Sequence, residues 1–156
     1  MRLKSVLIVF SWIILFSCNN ENKQDNNNEE MSAQEQRDVL YQEVITVHDE
    51  VMPKMEDIVL LQEKIRIQIN SLNEVDSSSS RVSGLREMNA LLESADNAMM
   101  NWMREFKPEM NAKEVENEVA LKYLENEMDR IHEVKKVVNE SISSAEEYLE
   151  SKTNLK

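Results

Sequence analysis

The chain has 156 residues, of which 30 are acidic and 18 basic, giving a formal net charge of −12. This charge argues against binding to nucleic acid or anionic lipid surfaces, because no patch rich in lysine or arginine offsets the acids. The chain has one glycine and two prolines, where average usage of about 7% and 5% would give roughly eleven and eight. Barrels, sandwiches and α/β folds need more turn residues than this, so the composition predicts an all-α fold.

Residues 1–17 are predicted to be a secretory signal. Arg2 and Lys4 precede the apolar run Val6 to Leu15, which is well short of the roughly 20 residues that span a bilayer. The following LFSC resembles a lipobox, the lipoprotein signal of bacteria, and this resemblance implies acylation of Cys18. The alternative is an ordinary secretory signal with an incidental cysteine. Cys18 is the only cysteine, so no intramolecular disulfide can form.

Residues 18–31 are predicted to be a lipidated, disordered tether. The stretch NNENKQDNNNEE, residues 19–30, has no apolar side chain to bury. Asn19, where inner-membrane lipoproteins often carry aspartate, favours sorting to the outer membrane. The domain is predicted to face the periplasm, with exposure at the cell surface as the alternative. The sequence therefore predicts a lipid-anchored protein of the cell envelope whose folded domain covers residues 32–152.

The first helix is predicted over about 33–73. Ser32 and Glu35 form a candidate capping box at its start, and Pro53 is expected to kink it, because proline removes one intrahelical hydrogen bond and clashes with the preceding turn. Its apolar seam follows steps of three and four residues: Tyr41, Val44, His48, Val51, Met55, Ile58, Gln62, Ile65, Ile69 and Leu72.

The second helix is predicted over about 80–106, after the polar break EVDSSSS at 74–80. Gly84 should weaken its first turns by roughly 1 kcal/mol relative to alanine. Trp102 and Phe106 are predicted to anchor the core at its end; a partner-binding cap is the alternative. Its remaining seam residues are Leu85, Met88, Leu92, Ala95 and Met99.

The third helix is predicted over about 112–151, opened by a second capping box at Asn111. Short connections make successive helices antiparallel neighbours, so the chain is predicted to form an up-down-up three-helix bundle, or a coiled-coil-like one, with its first helix kinked near Pro53. The first helix begins about a dozen residues before the third can lie beside it. Residues Ala33 to Ile45 are therefore expected to overhang the bundle or to fold back.

One group of side chains suits a soft metal ion. His48 and Met52 are four residues apart and Met55 follows after three, so the three side chains share one helix face. Imidazole and thioethers are ligands for Cu(I) and Ag(I). Methionine is also a flexible core filler, and a histidine on an apolar seam is commonly a hydrogen-bonded core or boundary residue. The metal hypothesis assigns six ligands: His48, Met52, Met55, Met99, Met100 and Met103.

Other chemistry finds less support. Met128 and His132 repeat the four-residue spacing and could ligate haem iron, but the C-x-x-C-H attachment motif is absent. No H-E-x-x-H, G-x-S-x-G or phosphate-cradling glycine loop occurs in the sequence. The acidic faces lack the loop pattern of a Ca²⁺ site. The sequence therefore predicts that the protein is not an enzyme.

Two motifs, VHDEVMPKM and DNAMMNWMREFKP, lie behind the lipobox. Together they resemble a family of small bacterial lipoproteins often labelled "viral A-type inclusion protein". The resemblance covers nearly the whole chain and implies a helical lipoprotein of unknown activity. The matching positions are His48, Asp49, Glu50, Met52, Pro53, Met55, Met99, Met100, Trp102, Met103 and Phe106.

The sequence thus predicts a lipid-anchored structural or protein-interaction module of the cell envelope. Its partner would be another envelope protein, bound through the start of the first helix. The alternative from a different class is an envelope protein that binds Cu(I) or Ag(I), and the third hypothesis is a haem-binding bundle.

Overall fold

A computed structural model describes residues 31–73 and 79–153 of the chain. The predicted signal peptide, Cys18 and the tether up to residue 30 lie outside the described residues. Within the described ranges, no helix combines the length and the apolar character needed to cross a membrane.

The described chain consists of four α-helices and one short 3₁₀ helix. These are α1 (Ala33–Val51), α2 (Lys54–Asn73), α3 (Ser80–Glu105), the 3₁₀ helix Pro108–Asn111, and α4 (Asn117–Thr153). The halves α1 and α2 form one bent rod that packs with α3 and α4. The predicted all-α bundle of three helices is confirmed.

The bend in the first rod lies at Met52 and Pro53, as predicted. The Met52 N–H donates to the His48 carbonyl at 2.9 Å, which closes α1. Pro53 has no N–H to donate in the next position. The chain then restarts with three-residue hydrogen bonds from Met55 N to Met52 O and from Glu56 N to Pro53 O, at 3.1 and 3.3 Å.

The core runs along the predicted seams. The first rod contributes buried residues one or two turns apart, and α3 and α4 do the same. The first rod and α4 run in the same direction: Glu50 pairs with Lys135, and Lys54 donates to Asn139, with the same sequence offset of 85. Fully buried members of the core include Val44, Val51, Ile58, Ile65, Leu85, Leu92, Met99, Ile131 and Val138.

The start of the bundle differs from the sequence prediction. Residues Ala33 to Ile45 neither overhang nor fold back, because the first rod pairs with α4 at a sequence offset of 85 and Ala33 therefore lies level with the first turn of α4. Ala33 lines the same cavity as Asn117. The connection between α3 and α4 contacts the same segment through Arg37. The sequence predicted that Asn111 caps a helix beginning at 112, and this prediction is wrong. Asn111 is the last residue of the 3₁₀ helix, and its side-chain oxygen accepts a hydrogen bond from Arg37.

The capping box at the start of α1 is present. The Glu35 N–H donates to Ser32 Oγ at 3.2 Å, and the Ser32 N–H donates to Glu35 Oε2 at 2.9 Å. The Ser32 hydroxyl also donates to this oxygen at 2.8 Å. The backbone bond first, and the hydroxyl bond second, hold the pKa of Glu35 below its ordinary value.

We expect Ser32→Ala to cost about 1 kcal/mol of stability, as is usual for loss of a cap.

The contribution of the Glu35 charge should depend on pH. Because its folded pKa is depressed, its stabilisation is present above the ordinary carboxyl pKa of about 4.3 and is lost as the pH falls through the folded value. Urea unfolding of Glu35→Ala and of the unaltered chain between pH 3 and 7 should show a difference in the free energy of unfolding that becomes smaller as the pH falls. A difference independent of pH would contradict this role.

Candidate functional site

His48 lies in the last turn of α1 and is largely covered, with 23% of its side chain exposed. Its Nδ1 is 2.8 Å from Asp49 Oδ1, the partner on one side of the ring. The ring also packs at a tilt against Trp102 of α3, with centroids 5.6 Å apart. His48 is therefore a boundary residue held between a carboxylate and an indole.

The methionines of the metal hypothesis occupy different environments. Met99 is fully buried in the core, and Met55 and Met103 pack against it. Met52 and Met100 are exposed, by 37% and 44%. Of the thioethers, only that of Met52 is both exposed and on the helix of His48, one turn further along. Among the described residues, no group of three or more His, Cys, Asp and Glu side chains could hold a metal ion.

The two candidate haem ligands, Met128 and His132, also lie in different environments. Met128 packs against the core from α4, whereas His132 is exposed on the same helix. The structure therefore gives the two side chains different surroundings.

Aromatic rings join α1, α3 and α4 near the end of α3. Trp102 is 3% exposed and stacks on Phe106 with centroids 4.9 Å apart. Phe106 in turn contacts Tyr41 at 6.1 Å and Tyr123 at 6.2 Å. Trp102 and Phe106 thus connect three helices, the arrangement expected of core anchors.

The hydroxyl of Tyr123 extends this cluster to the α3–α4 connection. It accepts a hydrogen bond from the Lys107 N–H at 2.7 Å. Partial burial raises the pKa of the phenol, and the negative charge of Glu127 adds to the rise against the opposing effect of the Lys107 bond. Tyr123 therefore fixes the point where the chain leaves α3.

Arg37 is fully buried and organises the start of the bundle. Its Nε donates to Asn111 Oδ1, Nη2 donates to the carbonyls of Asn111 and Ala112 at 2.7 and 3.0 Å, and Nη1 donates to Val115 O and Asn117 Oδ1 at 3.0 and 2.9 Å. Five acceptors thus match the five N–H groups of a guanidinium. No carboxylate is among them. All five N–H groups of Arg37 therefore donate within the protein, and none is left to bind a ligand.

Sequence reasoning missed Arg37 because arginine is rarely fully buried. One signal was available: Arg37 precedes Tyr41 by four residues and so extends the apolar seam of the first helix towards its start. Its acceptors lie far away in sequence, in a segment without an apolar pattern.

A second buried charge lies on α4. Glu127 is buried, and its Oε1 accepts from Arg130 Nη1 at 2.8 Å, while Oε2 has no hydrogen-bond partner in the described part of the chain. Arg130 also pairs with Glu105 of α3. This chain of charges joins α3 to α4, and the spacing along the sequence did not reveal it.

A groove between α3 and α4 opens to the surface beside Trp102. It holds two cavities of about 230 and 290 Å³ that share Val137 in their walls. The first is lined by Ala98, Trp102 and Val134 and the second by Leu91. We call this surface the α3/α4 groove; its charged edge residues are Arg130, Glu133 and Glu140.

No protein-family model, curated protein or solved structure matches the chain. The resemblance to the lipoprotein family therefore stays a prediction.

Proposed function

We propose that this chain is a lipid-anchored protein of the bacterial cell envelope that serves as a structural or protein-interaction module. The observation that carries the proposal is the exposed apolar side chain of Leu91 in a groove between two helices, beside buried charges that bond mainly within the bundle. Arg37 uses all its donors within the bundle, and Glu127 and Arg130 pair with each other. The α3/α4 groove, in contrast, leaves Leu91 exposed beside the half-buried Ala98 and Val137, above the buried Trp102 and Val134. The proposal assigns no enzymatic reaction to the chain.

The proposed location is the outer membrane, with the bundle facing the periplasm and Cys18 acylated. Two or more acyl chains anchor a protein stably, whereas one is marginal. The net charge of −12 makes binding through the protein surface to anionic lipid unfavourable. The anchor would therefore supply the attachment to the membrane, leaving the bundle surface for protein partners.

We expect Cys18→Ala to remove the chain from the detergent-extracted membrane fraction, with Ser5→Ala as a control that alters the signal without touching the cysteine. Mass spectrometry of the N-terminal peptide should show acyl chains on Cys18 in the unaltered protein and in Ser5→Ala. Unchanged membrane association of Cys18→Ala would contradict the anchor.

The interaction itself is tested in cells with a photo-crosslinking amino acid placed in the full chain. Suitable positions are exposed apolar residues on different helices: Val39, Leu60, Leu91 and Val119. Adducts with another envelope protein from at least one position are expected. Absence of adducts from all of them, with the protein correctly localised, would contradict an interaction role.

A second function, binding of Cu(I) or Ag(I), is favoured by the geometry of His48. A neutral histidine that donates from Nδ1 to Asp49 keeps its lone pair on Nε2, and carboxylate-oriented histidines of this kind are common metal ligands. Met52 presents an exposed thioether one turn away. These two side chains form the minimal site; Met55, Met99, Met100 and Met103 would have to rearrange to join it.

The two functions differ in the response to copper that they predict for the unaltered chain and for His48→Leu. If His48 only packs, the variant should be at least as stable as the unaltered chain, because an apolar side chain replaces a polar one on the seam. If it binds metal, Cu(I) under reducing conditions should raise the melting temperature of the full chain and not of the variant. A ligand at 100 times its Kd adds about 2.7 kcal/mol. Absence of any copper effect, with Met52→Leu also as stable, would exclude the metal site.

A further inference from the structure

We propose that the α3/α4 groove binds a basic amphipathic helix from another protein. This inference rests on the proposed interaction function and names both the surface and the class of partner.

The floor of the groove has the length and character of a helix-binding site. From Leu91 to Trp102 along α3 the rise is about 16 Å, or three helical turns. Ala98 lies between them, and Val134 and Val137 of α4 face them across the groove. A helix laid along this floor would place side chains spaced three or four residues apart against the two cavities.

Small side chains allow a helix to approach closely. Ala98 lies in the wall of the first cavity, and Ser141 and Ser144 lie in the wall of the second. Leu91 is 40% exposed beside these small residues. Helices pack at interaxial distances of about 8–10 Å when the residues at the contact permit it. The cavities would therefore receive side chains of the partner, with Val137, which both cavities share, between them.

The charges at the edge favour a basic partner. Glu133 and Glu140 line the cavities, and within the described residues Glu140 forms no ion pair. The nearby cations already face acids: Arg130 pairs with Glu105 and Glu127, and Lys136 lies 3.6 Å from Glu133. A second copy of this chain would itself be acidic, with a net charge of −12 over its whole length. Lysine or arginine flanking an apolar helix face would complement it.

The outer face of α2 supplies a matched control surface. Leu60 and Ile67 are exposed there, on the side of the helix away from its buried residues Ile58, Leu61 and Ile65. Neither Leu60 nor Ile67 lines any of the cavities described above. Leu60→Arg and Leu91→Arg therefore make the same chemical change at two exposed leucines, of which only one borders the groove.

The test measures binding of fluorescent synthetic peptides to the full chain in detergent micelles by fluorescence anisotropy. The probe is a leucine-lysine peptide with an amphipathic helical pattern. Its controls are a scrambled peptide of the same composition and a leucine-glutamate peptide with the same apolar face. We expect the amphipathic basic peptide to bind roughly tenfold or more tightly than either control, about the effect of one strong contact. Leu91→Arg should abolish this preference, and Leu60→Arg should keep it.

Several outcomes would overturn the proposal. Equal binding of the amphipathic and scrambled basic peptides would show attraction by charge alone. Equal loss in Leu60→Arg and Leu91→Arg would show that the groove is not the binding surface. A dimer in sedimentation analysis that only Leu91→Arg dissociates would show that the occupant is a second copy. If no peptide binds, the groove proposal is wrong. Crosslinks in cells from Val39, Leu60 or Val119 would in that case still support the interaction function. Without such crosslinks, both the groove proposal and the interaction function would be wrong.

Discussion

Replacement of Arg37 by alanine is expected to lower the free energy of unfolding by at least about 1.5–3 kcal/mol, the contribution of one hydrogen bond to a charged group, because five such bonds are lost together. The variant leaves three backbone carbonyls and two amide oxygens without their donor, at Asn111, Ala112, Val115 and Asn117. Each acceptor that the chain keeps from water carries its own desolvation cost once its donor is removed. Urea unfolding of the full chain followed by circular dichroism measures the loss.

Arg37→Lys should recover only part of this loss. Lysine keeps the charge but has three donors on a point-like ammonium group, and it cannot reproduce the planar fork that reaches acceptors on both sides. Arg66→Lys is the matched control, because Arg66 is an exposed arginine bonded to Glu63, and stability should hardly change. If Arg37→Lys were as stable as the unaltered chain, positive charge alone would explain the burial of Arg37 and the proposed donor geometry would be wrong.

The same variants should loosen one part of the chain before the rest. Arg37 joins the first turns of α1 to the connection between α3 and α4, so amides over residues 107–117 should exchange with solvent faster in Arg37→Lys. Amides in the middle of α4, around Ile131 and Val138, should change only with global stability. A uniform increase along the chain would contradict a local role for Arg37.

Gly84→Ala should destabilise the bundle by about 1–3 kcal/mol, the usual cost of overpacking. Helix propensity predicts the opposite, a gain of about 1 kcal/mol. The new Cβ would lie 2.5 Å from Tyr148 Cζ and 2.7 Å from Tyr148 Cε2. The hydroxyl of Tyr148 donates to the Arg81 carbonyl at 3.2 Å, which holds the ring against α3. Steric overlap should therefore outweigh the gain in helix propensity.

The cause can be isolated with a second substitution. On a Tyr148→Leu background the ring is gone, so Gly84→Ala should become stabilising by up to about 1 kcal/mol. Ser83→Ala, at the exposed neighbouring position, should have a similar small effect on both backgrounds. Thermal and urea unfolding of the four combinations of Gly84 and Tyr148 gives the coupling. Destabilisation by Gly84→Ala of the same size on both backgrounds would contradict the proposed contact.

The fold was predictable to the extent that local patterns determine it. The seams at steps of three and four gave the helices and their buried faces, and Pro53 gave the bend because proline lacks the required N–H. The capping box of Ser32 and Glu35 formed because its partners are three residues apart. Each of these features depends on residues that are close neighbours in sequence.

Features that depend on distant residues were not predictable in this way. Asn111 has the pattern of a helix cap, but Arg37 from the first helix takes its side-chain oxygen, and α4 begins at Asn117. Gly84 reads as a weakness in α3 until Tyr148 is known to lie against it. Sequence periodicity reveals which faces are buried but not which polar groups meet across the bundle.

The candidate site shows the same division. The hydrogen bond between His48 and Asp49 joins neighbours in sequence, whereas the contact with Trp102 depends on how α1 and α3 pack. The methionines share seams and motifs in the sequence, yet Met99 is buried and Met100, its neighbour, is exposed. Adjacent positions on a helix point in different directions, so a cluster in sequence is not a cluster in space.

The central claim, that this bundle binds another protein through the α3/α4 groove, is tested most directly by photo-crosslinking in cells from Leu91 and from Leu60 in the full, correctly localised chain. The account predicts a discrete adduct with one envelope protein from Leu91, none from Leu60, and mass-spectrometric mapping of the adduct to a basic amphipathic helix. Adducts from Leu60 alone, or from neither position, would contradict it.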